Sequence, residues 1–450
     1  MASPASSKVD LLGVVEVLHE YLTPGLCAGV FDDVRDTERR RLWTLERLAG
    51  FWTQVVLRAP ASLTHALAEA TRGGSSYPQV ASSSQAFFSH CQGMRPDFFA
   101  ALFEEFRRAV ASGEPARFAT AHRAVADRFA GVWVVDGSKL DAVARRLKVL
   151  WDDRRVPLPG SLLAFYDLRH GVLARLAYSP DAQPSELHDA IAGLDDVPEG
   201  SLLVGDRLYG VPKFFAALSA RGLFAVARRH GAVKLTKLKL LGKGRRDGGE
   251  YEDWEVTAGT GQHGTPQTLR WIRWKKGRTV RDVVTNVLDP RRLEPAEALA
   301  LYRERWKVER LFFDLKEVLN LNRFYAANRN AVAMQVYACA IVHTALRVAQ
   351  GRIAKQARIE PETLSVPKLF PKVAAASACL ATAELVFKAT ADANPGITLV
   401  KPDWGDLPFA STRLGEILIE TRGPRRRKRR FCEARRIVRS LPRSPRKAPG

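Results

Sequence analysis

The run LYRERWKVERLFFDLKEVL, Leu301 to Leu319, decides how the rest of this chain reads. Within it, Tyr302, Arg305, Glu309 and Lys316 are separated by steps of 3, 4 and 7 residues. On an α-helix those steps fall on one stripe about 60° wide. One acid is flanked there by two cations and a phenol. A site that holds a metal ion and a phosphodiester together needs that mixture. An amphipathic helix with solvated charges shows the same spacing, so the remainder of the chain has to decide.

Composition narrows the field. Of 450 residues, 46% are apolar, which is ordinary for a globular chain with a buried core, and the length suits two or three domains. The charge is not ordinary: 70 Lys+Arg stand against 48 Asp+Glu, a net +22. That excess points to a polyanionic partner, nucleic acid first. An acidic membrane surface would fit the charge too, but no amphipathic anchor or lipidation motif supports it. The five cysteines are scattered singly, with no zinc spacing, which suits a reducing cytoplasm. No secretory signal pattern opens the chain. The uncharged stretch from Ala331 to Leu346 is too short to span a bilayer and contains Gln335 and His343, so it reads as a buried helix.

Working outward, Leu11 to Ala126 carries helical periodicity, as in LWTLERLAGFWTQVVLRAP and DFFAALFEEFRRAVA. SSSQAFFSHCQGMRPDFFAALF fits a helix-turn-helix, and equally any small helical domain. Near Arg128 the texture changes. GVWVVDGSK, SLLAFYDL, VLARLAYSP, SLLVGD and LFAVARR read as strands, with helices at QPSELHDAIAGL and about Val211 to Arg221. This is an α/β pattern with a mixed sheet. From His230 to Asp289 the helical signal gives way to strands joined by Gly-rich turns: VKLTKLKLL, YEDWEVTA, TLRWIRWKKG and TVRDVVTNVLD. Helices return from Pro295 to Phe387. The tail beyond Pro424 is densely basic and poor in apolar residues, a composition expected to be disordered in isolation. The organisation expected is a helical N-terminal DNA-binding region at 1–127, two core segments at 128–229 and 295–390 around a β-rich insertion at 230–294, and a C-terminal segment with a basic tail at 391–450.

Two further acids stand out by position. Asp136 ends the apolar run GVWVVD, and Asp206 ends SLLVGD. With Glu309 they would converge at one edge of a sheet. Three carboxylates there would bind one or two Mg²⁺ ions through hard oxygen ligands, the arrangement used for in-line phosphoryl transfer.

At this point the chain resembles the DDE transposases of bacterial insertion sequences, in particular insertion-sequence family four. That family's Y-x2-R-x3-E-x6-K signature is matched by Tyr302, Arg305, Glu309 and Lys316. DRLYG, Asp206 to Gly210, is similar to its second-acid motif and VVDGSK, Val134 to Lys139, to its first. TNVLD, Thr285 to Asp289, resembles the strand before the signature helix. The resemblance covers about Ser83 to Val348. It implies an RNase H-like catalytic core interrupted by a β-stranded insertion, which the 103 residues between Asp206 and Glu309 accommodate. It implies Mg²⁺-dependent cut-and-paste transposition, with Mn²⁺ able to substitute. Asp136, Asp206 and Glu309 would be catalytic metal ligands; Tyr302, Arg305 and Lys316 would hold DNA phosphates. Arg207 and Tyr209 would pack or brace Asp206.

The implied partners are double-stranded DNA, both terminal inverted repeats and target, and a second copy of the chain in a synaptic complex at the bacterial nucleoid; no membrane is implied. A catalytically silent DNA-binding relative and a stand-alone metal-dependent nuclease share the same motifs. One departure from relatives is clear. Where some carry a base-stacking tryptophan, this chain has Arg281 and Asp282, with Trp254, Trp271 and Trp274 nearby. Strand alternation puts Trp271 and Trp274 on opposite faces. Lys234, Lys237, Lys239, Arg245, Arg246 and the tail are candidates for non-specific DNA contact.

Overall fold

The computed structural model describes residues 7–34, 42–73, 76–140, 160–180, 185–259, 265–326, 328–395, 398, 400 and 402–419. The basic tail expected beyond Pro424 lies outside the described residues. In chain order the first elements are β1 (Lys8–Asp10), α1 (Gly13–Tyr21), α2 (Pro24–Val34), α3 (Leu45–Arg58), α4 (Leu63–Arg72), α5 (Ser84–Gly93), α6 (Asp97–Gly113) and α7 (Arg123–Ala126). Side chains cap these helices: Thr44, Ser62 and Ser83 each accept a backbone N–H at the start of α3, α4 and α5.

Strands β2 (Val132–Lys139), β3 (Ser161–Asp167) and β4 (Val172–Ser179) follow, then α8 (Glu186–Ala192), β5 (Leu202–Gly205), α9 (Pro212–Ser219) and β6 (Phe224–Arg228). The next four strands are β7 (Leu235–Arg246), β8 (Gly249–Ala258), β9 (Gln267–Lys276) and β10 (Thr279–Thr285). Among the described residues, nine strands form one mixed sheet in the order β4-β3-β2-β5-β6-β10-β9-β8-β7. β2 pairs antiparallel with β3 and parallel with β5; β5 pairs parallel with β6. The Gly-rich hairpins join the same sheet, because β10 pairs antiparallel with β6, Val283 opposite Arg228.

The pleat sorts side chains into two cores. Val132, Val134, Leu202, Val204 and Val226 face one; Trp133, Val135, Leu203, Ala225 and Ala227 face the other. The second core is covered by α8 and α9, through residues such as Phe214, Phe215 and Leu218. The first is covered by the N-terminal helices together with α10 (Pro295–Arg303), α11 (Trp306–Phe313), α12 (Arg329–Ala357) and α13 (Val366–Ala393). A short helix, α14 (Leu414–Ile417), and β11 (Ser411–Arg413), which pairs with β1, close the described chain. α12 is the central post, packed by α1, α3, α5, α6 and β4. α12 and α13 are long and apolar enough to cross a membrane by length and composition, but the apolar window of α12 is wholly buried in protein. The N-terminal helices therefore share a core with the sheet.

One buried ion pair ties the hairpin strands to the segment that leads into α10. Arg270 on β9 is 0% exposed and Asp253 on β8 is 1% exposed. Arg270 donates to both carboxylate oxygens of Asp253, at 3.2 and 2.5 Å, and to the carbonyls of Val287 and Leu293, at 3.0 and 2.9 Å. Removing one partner leaves the other charged and dry. Arg270→Ala is expected to lower unfolding stability by about 3–5 kcal/mol, read as a fall in the urea midpoint.

Candidate active site

Asp136 lies inside β2, which runs on through Lys139, so it does not end the strand as its sequence position suggested. Val134 is level with Val204 in the parallel ladder, which sets Asp136 beside Asp206, the residue that leaves β5. Asp206 Oδ1 accepts the Leu208 N–H at 2.6 Å, an Asx turn that fixes DRLYG as the strand ends. Alternation then decides what each β2 side chain meets. Asp136 and Ser138 share the face of Val134, toward α11; Gly137 faces α8.

The signature segment departs from its expected form. It is not one helix. Tyr302 lies on α10, Arg305 in a turn, Glu309 on α11 and Lys316 in a π-helical turn, Asp314–Val318. At the break the amides of Glu304, Arg305, Lys307 and Val308 each bond three residues back, which tightens the turn. The Leu319 amide bonds five residues back to Asp314, which widens the last one. The side chains still reach β2. Arg305 donates to Asp136 Oδ2 at 3.3 Å and also pairs with Glu309. Lys316 donates to Ser138 Oγ at 2.8 Å and to the Lys139 carbonyl at 2.5 Å. Tyr302 is half-buried and packs against the larger core.

The three acids do not close into a ready ligand set. Among the described residues, no three His, Cys, Asp or Glu side chains are grouped to hold a metal ion. The Arg305 guanidinium bridges Asp136 and Glu309, and the Glu309 side chain is 57% exposed. The donor chemistry at the Asp136 end does fit a hard cation. Burial, then the charges of Asp206 and Glu186, push the Asp136 carboxyl up to about 7; Arg305 and the Gly137 amide offset only part of this. Close carboxylates that hold back one another's ionisation are a place where added positive charge is stabilising.

Glu186, the first residue of α8, was not singled out from sequence. Its carboxyl is raised by burial, with Asp206 adding to the effect and the Tyr209 hydroxyl opposing it. Tyr209 donates to Glu186 Oε1 at 2.8 Å, so this tyrosine braces Glu186 and not Asp206. An acid after the N-cap Ser185 reads simply as a complement to the helix dipole, and no pattern marked it further.

The tryptophans divide as alternation required. Trp271 lies in the α8/α9-side core and Trp274 in the other, each 9% exposed. Trp254 is half-buried beneath Lys237, whose Nζ is 3.9 Å from its ring centroid. Arg281 lies over Trp274, at 5.1 Å from the ring centroid, and Asp282 faces Arg273 at 3.6 Å.

Residues 159–345 match a family model described as a transposase DDE domain; the match includes Asp206 and the four signature residues and begins after Asp136. A Sinorhizobium fredii protein named as a transposase, y4zB, is 27% identical over 255 residues, 52% of this chain and 70% of that protein. A Geobacillus stearothermophilus protein, named as the transposase of insertion sequence element IS5377, is 26% identical over 219 residues, 46% of this chain. The alignment spans 56% of that relative's length. A Synechocystis protein named for insertion sequence element IS4SA is 42% identical over 48 residues, 11% of this chain and 14% of its own. A solved piggyBac transposase synaptic complex with hairpin DNA overlaps at a TM-score of 0.41 and 10% identity, covering 93% of this chain and 87% of that one. A likeness that loose carries no argument about the site.

The raised Asp136 carboxyl makes stability depend on pH. Its folded value of about 7 lies above the ordinary 3.8, so the folded chain holds a proton that the unfolded chain releases. That stabilisation is full below the ordinary carboxyl range and is lost as pH rises toward and through 7. In metal-free protein, Asp136→Asn is expected to raise the melting temperature at pH 8 by about 2 °C, with the gain shrinking toward pH 4.5. Calorimetry across that range checks it.

Proposed function

This chain carries the DDE domain of insertion-sequence transposases, and from that premise we propose that it cuts and rejoins DNA at the ends of an insertion sequence. Insertion-sequence family four fits the relatives found. The observation that carries the reading is the parallel β2–β5 register, with Val134 level with Val204 two residues before Asp136 and Asp206, and Arg305 reaching from the signature segment to Asp136. The strand order β4-β3-β2-β5-β6, with its first three strands antiparallel and the rest parallel, supports an RNase H-like core extended by the β7–β10 strands.

Asp136 and Asp206, with Glu309 once it leaves Arg305, would hold Mg²⁺, or Mn²⁺ in its place. The bound ion would lower the pKa of an attacking water or 3′-hydroxyl and neutralise charge on the leaving oxygen. The protein's own part is positional. Arg305 offers planar N–H donors now taken by two carboxylates, and a DNA phosphate competes for the same donors. Lys316, at the far end of the segment, supplies a point charge beside Ser138. Tyr302 adds a phenol on the preceding helix. The net charge of +22 supports DNA as the partner. Lys234, Lys237, Lys239, Arg245 and Arg246 are all exposed along the β7 edge and extend the basic path. A second copy of the chain in a paired-end complex, at the nucleoid, completes the proposal.

The test is incubation of the full chain with Mg²⁺ and DNA bearing the inverted repeats that flank its gene. Joined products support transposition; cutting without joining indicates a nuclease, and binding alone a silent relative. Asp136→Ala and Asp206→Asn are each expected to lower the cleavage rate by at least ~10³-fold while DNA binding persists. Unchanged cleavage by Asp136→Ala removes the site assignment. Lys316→Met is expected to cost about 100–1,000-fold, of the order lost with one preorganised donor.

A further inference from the structure

We propose that Glu186 is a positioning residue that fastens the two acid-bearing motifs to each other and so sets the cation affinity of the site. The inference rests on the reading of Asp136 and Asp206 as metal ligands. Its basis is geometric. Glu186 stands at the start of α8, on the face of the sheet opposite the signature segment. Its Oε1 accepts the Tyr209 hydroxyl at 2.8 Å, three residues beyond Asp206. Its carboxylate also packs directly against Gly137, the residue after Asp136. The Gly137 N–H itself donates to Asp136 Oδ1, 3.0 Å away. One carboxylate thus packs on the first motif at its glycine and holds the second by its tyrosine.

The glycine in VVDGSK has its reason in this contact. A Cβ at Gly137 would lie 2.3 Å from Glu186 Oε2 and 2.4 Å from Cδ. Glu186 fills the space that a side chain at 137 would take. Tyr209 is fully buried, packed on Phe214 with ring centroids 5.1 Å apart, so its hydroxyl is aimed by the α9 core. The clamp is therefore rigid on the Tyr209 side and close-fitting on the Gly137 side. Ligand-orienting partners of this kind typically change metal affinity by about 10–100-fold when removed.

The experiment uses the full chain, with Mn²⁺ binding read by electron paramagnetic resonance and, in parallel, kcat and KM for end cleavage. Glu186→Gln and Tyr209→Phe are the variants and Asp206→Asn the reference. Glu186→Gln is expected to weaken Mn²⁺ binding by about 10–100-fold and Tyr209→Phe by less, with kcat falling and KM for DNA unchanged. Gly137→Ala, which displaces the carboxylate without removing it, is expected to weaken Mn²⁺ binding as well. If Asp206→Asn loses Mn²⁺ while Glu186→Gln and Tyr209→Phe bind it as the parent does, the inference is overturned and the active-site reading stands. Should Asp206→Asn also bind Mn²⁺ normally, both fail. Where Glu186→Gln does not fold, Tyr209→Phe decides alone: parent-like Mn²⁺ binding and kcat overturn the clamp.

Discussion

Carboxylate repulsion between an acid inside β2 and one just beyond the end of β5 is the constraint to which the rest of the site answers. Asp136 and Asp206 are brought level by the β2–β5 ladder, and Glu186 is driven against them by α8. Acids that feel one another's charge, partly shielded from water, destabilise the folded chain unless positive charge or shared protons compensate. The chain supplies three compensations: the Arg305 guanidinium, the Gly137 amide and the Tyr209 hydroxyl. Each comes from a different element, so the signature segment, β2 and the turn after β5 all answer the same electrostatic need.

Much of the scaffold was legible because period decides it. The alternation in GVWVVDGSK sorts its residues into two cores, and Trp271 and Trp274 obey the same rule on β9. The start of α10 was legible too: Glu294, Pro295 and Glu297 form a capping box with proline in the first turn. Other features were not. Nothing between Leu301 and Leu319 is a glycine or proline, so no local signal marked the tight turn at Glu304–Arg305 or the π turn at Asp314–Val318. Those breaks coincide with side-chain partners distant in sequence, among them His122, Asp136 and Glu362. The β10–β6 pairing was hidden for a related reason: it joins residues more than fifty positions apart, with no turn to set its register. Glu186 was hidden because an acid at a helix start has an ordinary explanation.

The two sides of the signature segment differ in kind, and the difference bears on how it works. Its back is fully paired. Glu304 bonds His122 Nε2 at 3.0 Å and Lys307 Nζ at 2.9 Å, and Lys307 also reaches Glu362 at 3.1 Å. Burial alone would raise the Glu304 carboxyl, yet those two partners outweigh it and hold it down to about 2. Charges so well matched stay ionised and in place across the physiological range. The front is matched only provisionally: Glu309 is more than half exposed, and Arg305 and Lys316 bond oxygens that a phosphate could replace. A segment anchored behind by buried ion pairs can exchange partners in front without losing its position. Precise placement with replaceable contacts is what the proposed phosphate-holding role requires. In this chain it follows from burying Glu304 and Lys307 while leaving Glu309 at the surface.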